Sequence, residues 1–569
     1  MHLSDENSKN QEPNIPWHFL VGKNSCQRIL ILDYKLEYSA ISFSKIYDEV
    51  YLFNLTFKYL QIIKEYADLN YIQNIRYFCG STTPFLPFKD DNFDVVFINS
   101  ELLYNKNKLL PEIGRILKQN GTLCYFAENK FSYKKMKNII KFWAILFDLK
   151  PYRKRNQNRL SSYEHIRQLK NAGFGYTKIY SIIPNPEEIE SIEDPDRIKK
   201  IFNKKKPAPL KRSFNLKNIL TGSCFVRKYL MPNLAFFSNK KGIGNSELDF
   251  IIADIESLLN NGQWVISETT FQVTQKGTFV FKLKNLDNNR KIIVKIPLNP
   301  LAKKQLDRNF DQIFSLHGNT LIPDELKKIV PKPMIKSLHD KYCYYTEGLK
   351  PGNPAIFFHQ SPQKLNIILQ SAAHEICQLH SATKFLKDDS GHRMERLLSE
   401  RIDRLKKLLG KERQQFILVL KNYLVRNLIS ANLPYVFHKG DCSAHNILVS
   451  KDLSISAFID WDQSIKHGFP LVDLINLIES FKRHSLKQGM GDILKNYLFP
   501  GKFSILEKEL ISNYCYKLDI PKEVLFPSTI IYWIEHVTAQ DLMQDEKWMK
   551  SNVFSVMSYL EECFLSKTF

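Results

Sequence analysis

Residues 436–462, VFHKGDCSAHNILVSKDLSISAFIDWD, hold three oxygen-bearing side chains at spacings that suit phosphoryl transfer from a magnesium nucleotide. Asp441 and Asn446 form a D-x4-N pair, and Asp460 follows the apolar run Ala457, Phe458, Ile459. A transferring γ-phosphoryl needs an acceptor hydroxyl that can give up its proton, and Mg2+ held on oxygen ligands to offset the charge. Asp441 is the candidate to accept that proton. Asn446, through its side-chain carbonyl, and Asp460, through its carboxylate, are the candidate metal ligands, and none of the three needs an unusual pKa for this work.

This stretch resembles the aminoglycoside phosphotransferase and choline kinase-like family. The family's signature is HGD-x4-N, then I-D-W-[DE], then G-x-P-x-x-D-L; here stand Gly440-Asp441, Asn446, Ile459-Asp460-Trp461-Asp462, and Gly468-Phe469-Pro470 with Asp473-Leu474. The sequence departs from the pattern at Lys439, which occupies the histidine position, with His438 one place earlier. Asp473 reads as a structural tie to the helix that follows.

The elements that must position these residues are also legible. Residues 271–296, FQVTQKGTFVFKLKNLDNNRKIIVKI, read as three strands joined by a glycine turn and an Asn/Asp-rich hairpin. The resemblance implies that Gly277 lets the first turn approach ATP phosphates through backbone N–H groups, and that Lys295 contacts the α- and β-phosphates. The acidic partner of Lys295 is expected on the helix near residues 302–317, which offers Asp307 and Asp311 but no glutamate; Asp311 is the choice. The segment Tyr344 to Gly352, YYTEGLKPG, resembles the family's hinge, whose backbone groups receive adenine, and Glu347 is its candidate cofactor-binding residue. His380, on an apolar helix face, reads as a core residue. The resemblance covers about residues 265–480.

At 569 residues the chain is too long for one such fold and implies a second domain. Its 44% hydrophobic and 12% aromatic content can fill two cores. Nine scattered cysteines without a C-x-x-C pair argue against a disulfide frame or a zinc site and suggest a reducing, cytoplasmic setting. The start, MHLSDENSKNQEPN, shows no secretion signal, and no uninterrupted transmembrane run is present. The net charge of +22 is spread along a chain crowded with Lys, Asn, Ile, Phe and Tyr, so no specific nucleic acid is expected. The densest basic cluster, Arg197 to Lys206 with Lys211, Arg212 and Lys217, precedes an apolar-aromatic stretch; a solvated linker is favoured over contact with a membrane surface.

Residues 29–126 alternate apolar strands with helical spacings in a βαβ rhythm. They resemble class I S-adenosylmethionine-dependent methyltransferases, particularly in PFLPFKDDNFDVVFINSELL and LLPEIGRILKQNGTLCYFAEN; residues 161–185 continue the likeness. That family binds its cofactor on a glycine-rich turn after the first strand. Here the turn, Asp33 to Ser39, contains no glycine; Asn54 stands where an acidic residue would hold the ribose, and Ser81 replaces the acid after Gly80. The expectation is a methyltransferase-like fold that has lost S-adenosylmethionine binding.

The sequence thus predicts a two-domain cytoplasmic protein of α/β and α+β class, a Rossmann-like methyltransferase fold followed by a bilobal protein-kinase-like fold. The divisions are a polar tail over 1–27, a methyltransferase-like domain over 28–237, a linker at 238–249, and kinase-like lobes over 250–350 and 351–569. The predicted activity is ATP- and Mg2+-dependent phosphorylation of a hydroxyl on a small molecule. Two alternatives stay open: a bifunctional methyltransferase and kinase, and a nucleotide-binding scaffold without turnover. The acceptor and the oligomeric state are not readable.

Overall fold

The computed structural model describes residues 16–21, 28–32, 39–80, 85–99, 109–130, 160–184, 189–194, 231–242, 244–260, 262–268, 270–339, 342–385, 391–410, 413–539 and 546–565. Most of the cofactor turn beginning at Asp33, Ser81, the basic cluster from Arg197 to Lys217 and the first fifteen residues lie outside them. The described residues fall into two compact units, one within Met1–Lys303 and Ile335–Thr346, the other within Lys304–Met334 and Glu347–Phe569.

The first unit is built on strands β1 (Arg28–Leu32), β2 (Glu49–Asn54), β3 (Ile75–Cys79), β4 (Phe93–Asn99), β5 (Leu117–Glu128), β6 (Tyr176–Pro184), β7 (Ile189–Glu193) and β8 (Asn233–Asn239). They run in the order 3-2-1-4-5-8-6-7. Strands β1 to β5 pair in parallel, while β8 pairs antiparallel with both β5 and β6. The parallel centre is covered on both faces, which is why β4, FDVVFIN, is buried at every position and its middle, Val95 to Ile98, is an uninterrupted apolar run. Helices α1 (Phe57–Leu69), α2 (Leu109–Ile116) and α3 (Ser162–Asn171) lie among these strands in the chain. Ser161 and Glu164 close a capping box that starts α3. Asn120 and Gly121 fall where the β4–β5 register shifts; a Cβ on Gly121 would lie 3.0 Å from the Phe93 carbonyl oxygen, so the strands approach too closely there for a side chain.

Helix α4 (Glu247–Leu259), begun by a Ser246–Asp249 capping box, leads to β9 (Trp264–Ile266), β10 (Thr270–Val273), β11 (Thr278–Asn285) and β12 (Lys291–Pro297). Strands β11 and β12 alternate buried and partly exposed residues, the pattern of a sheet with one covered face. Composition suggests a linker at 238–249, but regular structure leaves only residues 240–246 between β8 and α4. The sheet itself does not stop there: β10 pairs antiparallel with β7, Phe271 opposite Ile192. The order continues through β11 and β12 to β14 (Tyr342–Gly348) and β13 (Pro333–His339).

The reading of 1–27 as a polar tail is corrected at residues 17–21. Trp17, Phe19, Leu20 and Val21 are buried. Trp17 packs against Phe126 at 5.0 Å between ring centroids, and Phe19 stacks on Phe279 at 5.5 Å. The run WHFLV carries enough apolar area to be drawn into the core despite the polar residues before it.

The second unit is largely helical. It contains most of α5 (Pro300–Gly318), then α6 (Pro362–Ala382), α7 (Gly391–Leu409), α8 (Val472–Leu486), α9 (Ile505–Leu518) and α10 (Leu525–Ala539). Ile368, Leu405, Leu477 and Trp533 are among its fully buried side chains. Two small sheets belong to this unit: β15 (Asn353–Pro354), β17 (Ile447–Val449) and β18 (Ile455–Phe458) pair in that order, and β16 (Val436–His438) pairs with β19 (Ile465–Gly468).

Candidate active site

The second unit gathers Asp441, Asn446 and Asp460 onto adjoining loops. Strand β16 delivers the chain to Gly440, whose φ of 90° and close approach to Gln463 require glycine: a Cβ there would lie 2.5 Å from the Gln463 carbonyl oxygen. The loop returns as β17, which pairs with β18 and brings Asp460 back beside Asn446; the Ile459 amide donates to the Asn446 carbonyl at 2.9 Å. Asp460 adopts a left-handed backbone, φ 61°, with an exposed side chain.

The Asp441 carboxylate is fixed on both oxygens. Oδ2 accepts from Asn446 Nδ2 at 2.8 Å, and Oδ1 accepts from the Ser443 amide at 3.1 Å. Because the Asn446 amide nitrogen is committed to Asp441, the side-chain oxygen is the atom Asn446 can offer a cation. With the Asp460 carboxylate it makes an all-oxygen donor set of the kind Mg2+ takes. Neighbouring Cys442 is fully buried, and burial pushes its thiol well above the ordinary value, so it is not a nucleophile.

A buried polar hub supports the loop. Asp473, at the start of α8, accepts from the Lys439 amide at 2.6 Å, the Gly440 amide at 2.9 Å and His380 Nε2 at 3.1 Å. His438 Nε2 lies 2.9 Å from its other side. Burial alone would raise the Asp473 pKa, but His438 and His380 hold it well below the usual carboxylate range. Burial would likewise lower His438, yet Asp473 and then Glu535 leave it raised. His380 also meets the Tyr514 hydroxyl at 2.6 Å, and Arg401 donates to Glu535 at 2.6 Å. His380 is therefore a satisfied core histidine, and Asp473 ties the Lys439–Asp441 loop to its helix. On the same helix Ser480 accepts from the Ala444 amide at 3.0 Å, and Glu479 accepts from Tyr532 at 3.0 Å.

Of the remaining predicted residues, Lys295 lies on β12 opposite Val280, and Gly277 turns β10 into β11 with φ 85°. The Gly277 N–H is spent on the Thr274 carbonyl at 2.9 Å, so within this turn it closes the hairpin. Asp311 is exposed on α5. Glu347 is buried, and its Oε2 accepts from Asn309 Nδ2 at 3.5 Å. Asn309 is the site residue that motif reading misses: its Oδ1 accepts from the Trp461 amide at 2.8 Å, joining α5 to the loop that carries Asp460. The signal was periodicity, since Leu306, Asn309, Ile313 and Leu316 form one buried stripe while Asp311 falls on the outer face.

Residues 267–501 match the model of the phosphotransferase enzyme family, and residues 37–125 match that of a methyltransferase domain. The chain thus carries a segment similar to the phosphotransferase enzyme family and, before it, one similar to a methyltransferase domain. Among solved structures, it is similar to the YcgJ protein of Bacillus subtilis, with 18% identity, 38% of this chain and 94% of that one covered, and a TM-score of 0.24. A SAM-dependent methyltransferase of Aquifex aeolicus matches at 13% identity over 38% and 82%, TM-score 0.23. Phosphoethanolamine N-methyltransferase 2 of Haemonchus contortus, solved with S-adenosyl-L-methionine, matches at 18% over 38% and 49%, TM-score 0.25. No curated protein matches the chain. Among the described residues no helix is long and apolar enough to cross a membrane.

Proposed function

We propose that the phosphotransferase segment transfers the γ-phosphoryl of ATP, with Mg2+, to a hydroxyl of a small molecule. Asp441 orients the hydroxyl and accepts its proton, and Asn446 Oδ1 and Asp460 hold the cation. Lys295 and the turn that Gly277 closes, through its backbone N–H groups other than that of Gly277, serve the nucleotide phosphates, with Asp311 as the acidic partner of Lys295; the hinge at Glu347 serves the adenine. Bound there, Mg2+ would neutralise charge developing on the transferred group. The observation that carries this reading is the Asn446 Nδ2 to Asp441 Oδ2 bond, which fixes the base and turns the asparagine oxygen toward ligand duty.

The methyltransferase-like fold, over 28–237, acts in this reading as a scaffold or acceptor-recognition module without S-adenosylmethionine. Support comes from Asn54, whose Oδ1 accepts from the Thr56 amide at 2.8 Å and so builds a local turn. The seven described cysteines are free thiols, in keeping with a cytoplasmic setting.

The test is release of ADP from MgATP on addition of hydroxyl-bearing acceptors, wild type against Asp441→Asn. Loss of a positioned base should lower turnover by about 10² to 10⁴ with ATP binding kept. Equal turnover in the two proteins would reject the assignment of Asp441.

A further inference from the structure

Lys439 stands where the family's motif has histidine, and its side chain is almost entirely buried, 2% exposed. Its ammonium donates to two backbone carbonyls, that of Asp441 at 2.6 Å and that of Asp460 at 2.9 Å. It also lies 5.3 Å from the centre of the Trp461 ring, within cation–π range. None of these three partners is a carboxylate. An ammonium buried on neutral partners carries a desolvation cost that its hydrogen bonds only partly offset. What it fixes here is the meeting of the two loops that carry the candidate base and a candidate metal ligand. The Lys439 amide is bound at the same time to Asp473, so backbone and side chain of one residue join the hub, the Asp441 loop and the Asp460 loop.

We propose that Lys439 is a positioning residue: its ammonium clasps the carbonyls of Asp441 and Asp460 so that the two loops open and close as one, and Mg2+ meets a preformed pair of oxygen ligands. This rests on the phosphotransferase reading. A neutral histidine in that place would keep the backbone amide on Asp473 but could not donate to both carbonyls, because its imidazole has one N–H and a shorter reach. The neighbouring His438 is not a substitute, since its ring is engaged with Asp473 and Glu535.

Two measurements on the full chain test the clasp. In the first, ATP binding is titrated with Mg2+ in wild type, Lys439→Met and Lys439→Arg, with the ligand-free thermal midpoint recorded for each. Outer-shell partners of a metal site typically change metal affinity by about 10- to 100-fold, so Lys439→Met should raise the half-saturating Mg2+ concentration at least about tenfold. Magnesium-free ATP binding should stay within about twofold, and Lys439→Arg, which keeps charge and donors, should recover most of the loss. Unchanged Mg2+ dependence in Lys439→Met overturns the proposal. So does an equal loss in both variants, which would make the residue a matter of packing.

The second measurement does not depend on a variant that folds. Amide exchange in wild type should give peptides from the Asp441 and Asp460 loops opening rates that agree within about twofold; rates differing by more than about tenfold would overturn the clasp. If wild type shows no Mg2+-dependent ATP binding at all, the phosphotransferase reading falls, whereas the exchange rates still decide whether the clasp exists.

Discussion

At the ends of their strands the two units use buried polar side chains in different ways. Around β16, nitrogen atoms of Lys439, Gly440, His380 and His438 converge on the carboxylate of Asp473, and the loop they hold presents Asp441 and Asn446 beside the loop of Asp460. At the end of β2, Asn54 spends its side-chain oxygen on an amide two residues away, and nearby faces are filled by aromatic pairs such as Phe43 stacked on Phe97 at 4.6 Å. A buried carboxylate that collects distant donors organises a loop for ligand; an amide that collects a local one finishes a turn. On the proposed reading, the first arrangement keeps a site ready and the second serves the sheet.

The largest test of that contrast is removal of the hub. Asp473→Ala strands two backbone amides and leaves His438 beside Glu535 without its main counter-charge. Taking one partner from a buried charged cluster costs about 3 to 5 kcal/mol, so urea denaturation should show a loss of that size in the second unit. A loss below about 1 kcal/mol, the scale of an exposed ion pair, would break the claim that the hub holds the loop.

The pH responses of single histidines sharpen the same comparison. In the first unit His165 is buried beside Tyr125, its Nδ1 2.6 Å from the hydroxyl, and burial pushes its pKa down from 6.5 to about 4. The folded state then binds fewer protons than the unfolded one across that window. Stability from a neutral His165 is full above pH 6.5 and is lost as pH falls toward 4, by about 2 to 3 kcal/mol in all. His165→Gln should flatten this part of the acid limb. His438 has the opposite sign: its pKa is raised, so its contribution is full below 6.5 and lost as pH climbs through the folded value. Difference curves of wild type against His165→Gln and against His438→Gln should slope in opposite senses, and slopes of one sign would contradict a pKa lowered by burial in one ring and raised by neighbouring carboxylates in the other.

The smallest expected effect is none. S-adenosylmethionine at millimolar concentration should leave the thermal midpoint of the full chain unchanged, whereas occupancy at a hundredfold over the dissociation constant would stabilise by about 2.7 kcal/mol. A shift of that order would revive the bifunctional reading and undo the contrast at Asn54.

How far the sequence showed all this follows from sequence distance. Asp441, Asn446 and Asp460 sit within one loop–hairpin–loop, so their spacing alone brings them together. The alternation of β11 and β12 likewise announced the hairpin that carries Lys295. Asn309 reaches Trp461 from a helix far away in the chain, and only the buried stripe on that helix hinted at it. The pairing of β7 with β10 joins strands whose composition says nothing of their partner, which is why a linker at 238–249 reads as a boundary that the continuous sheet does not respect. Lys439 was visible only as a departure from a motif; that its ammonium finds two carbonyls is a matter of three-dimensional approach.

The most direct measurement of the central claim is the thermal midpoint of the full chain with Mg2+ and ATP against ATP in EDTA, with Asp460→Ala as the control. A Mg2+-dependent rise in wild type, equivalent to about 2.7 kcal/mol at a hundredfold excess over the dissociation constant and abolished by the substitution, is the predicted result. No Mg2+-dependent shift at millimolar ATP, or a shift that survives Asp460→Ala, would contradict the account of this site as a magnesium nucleotide centre.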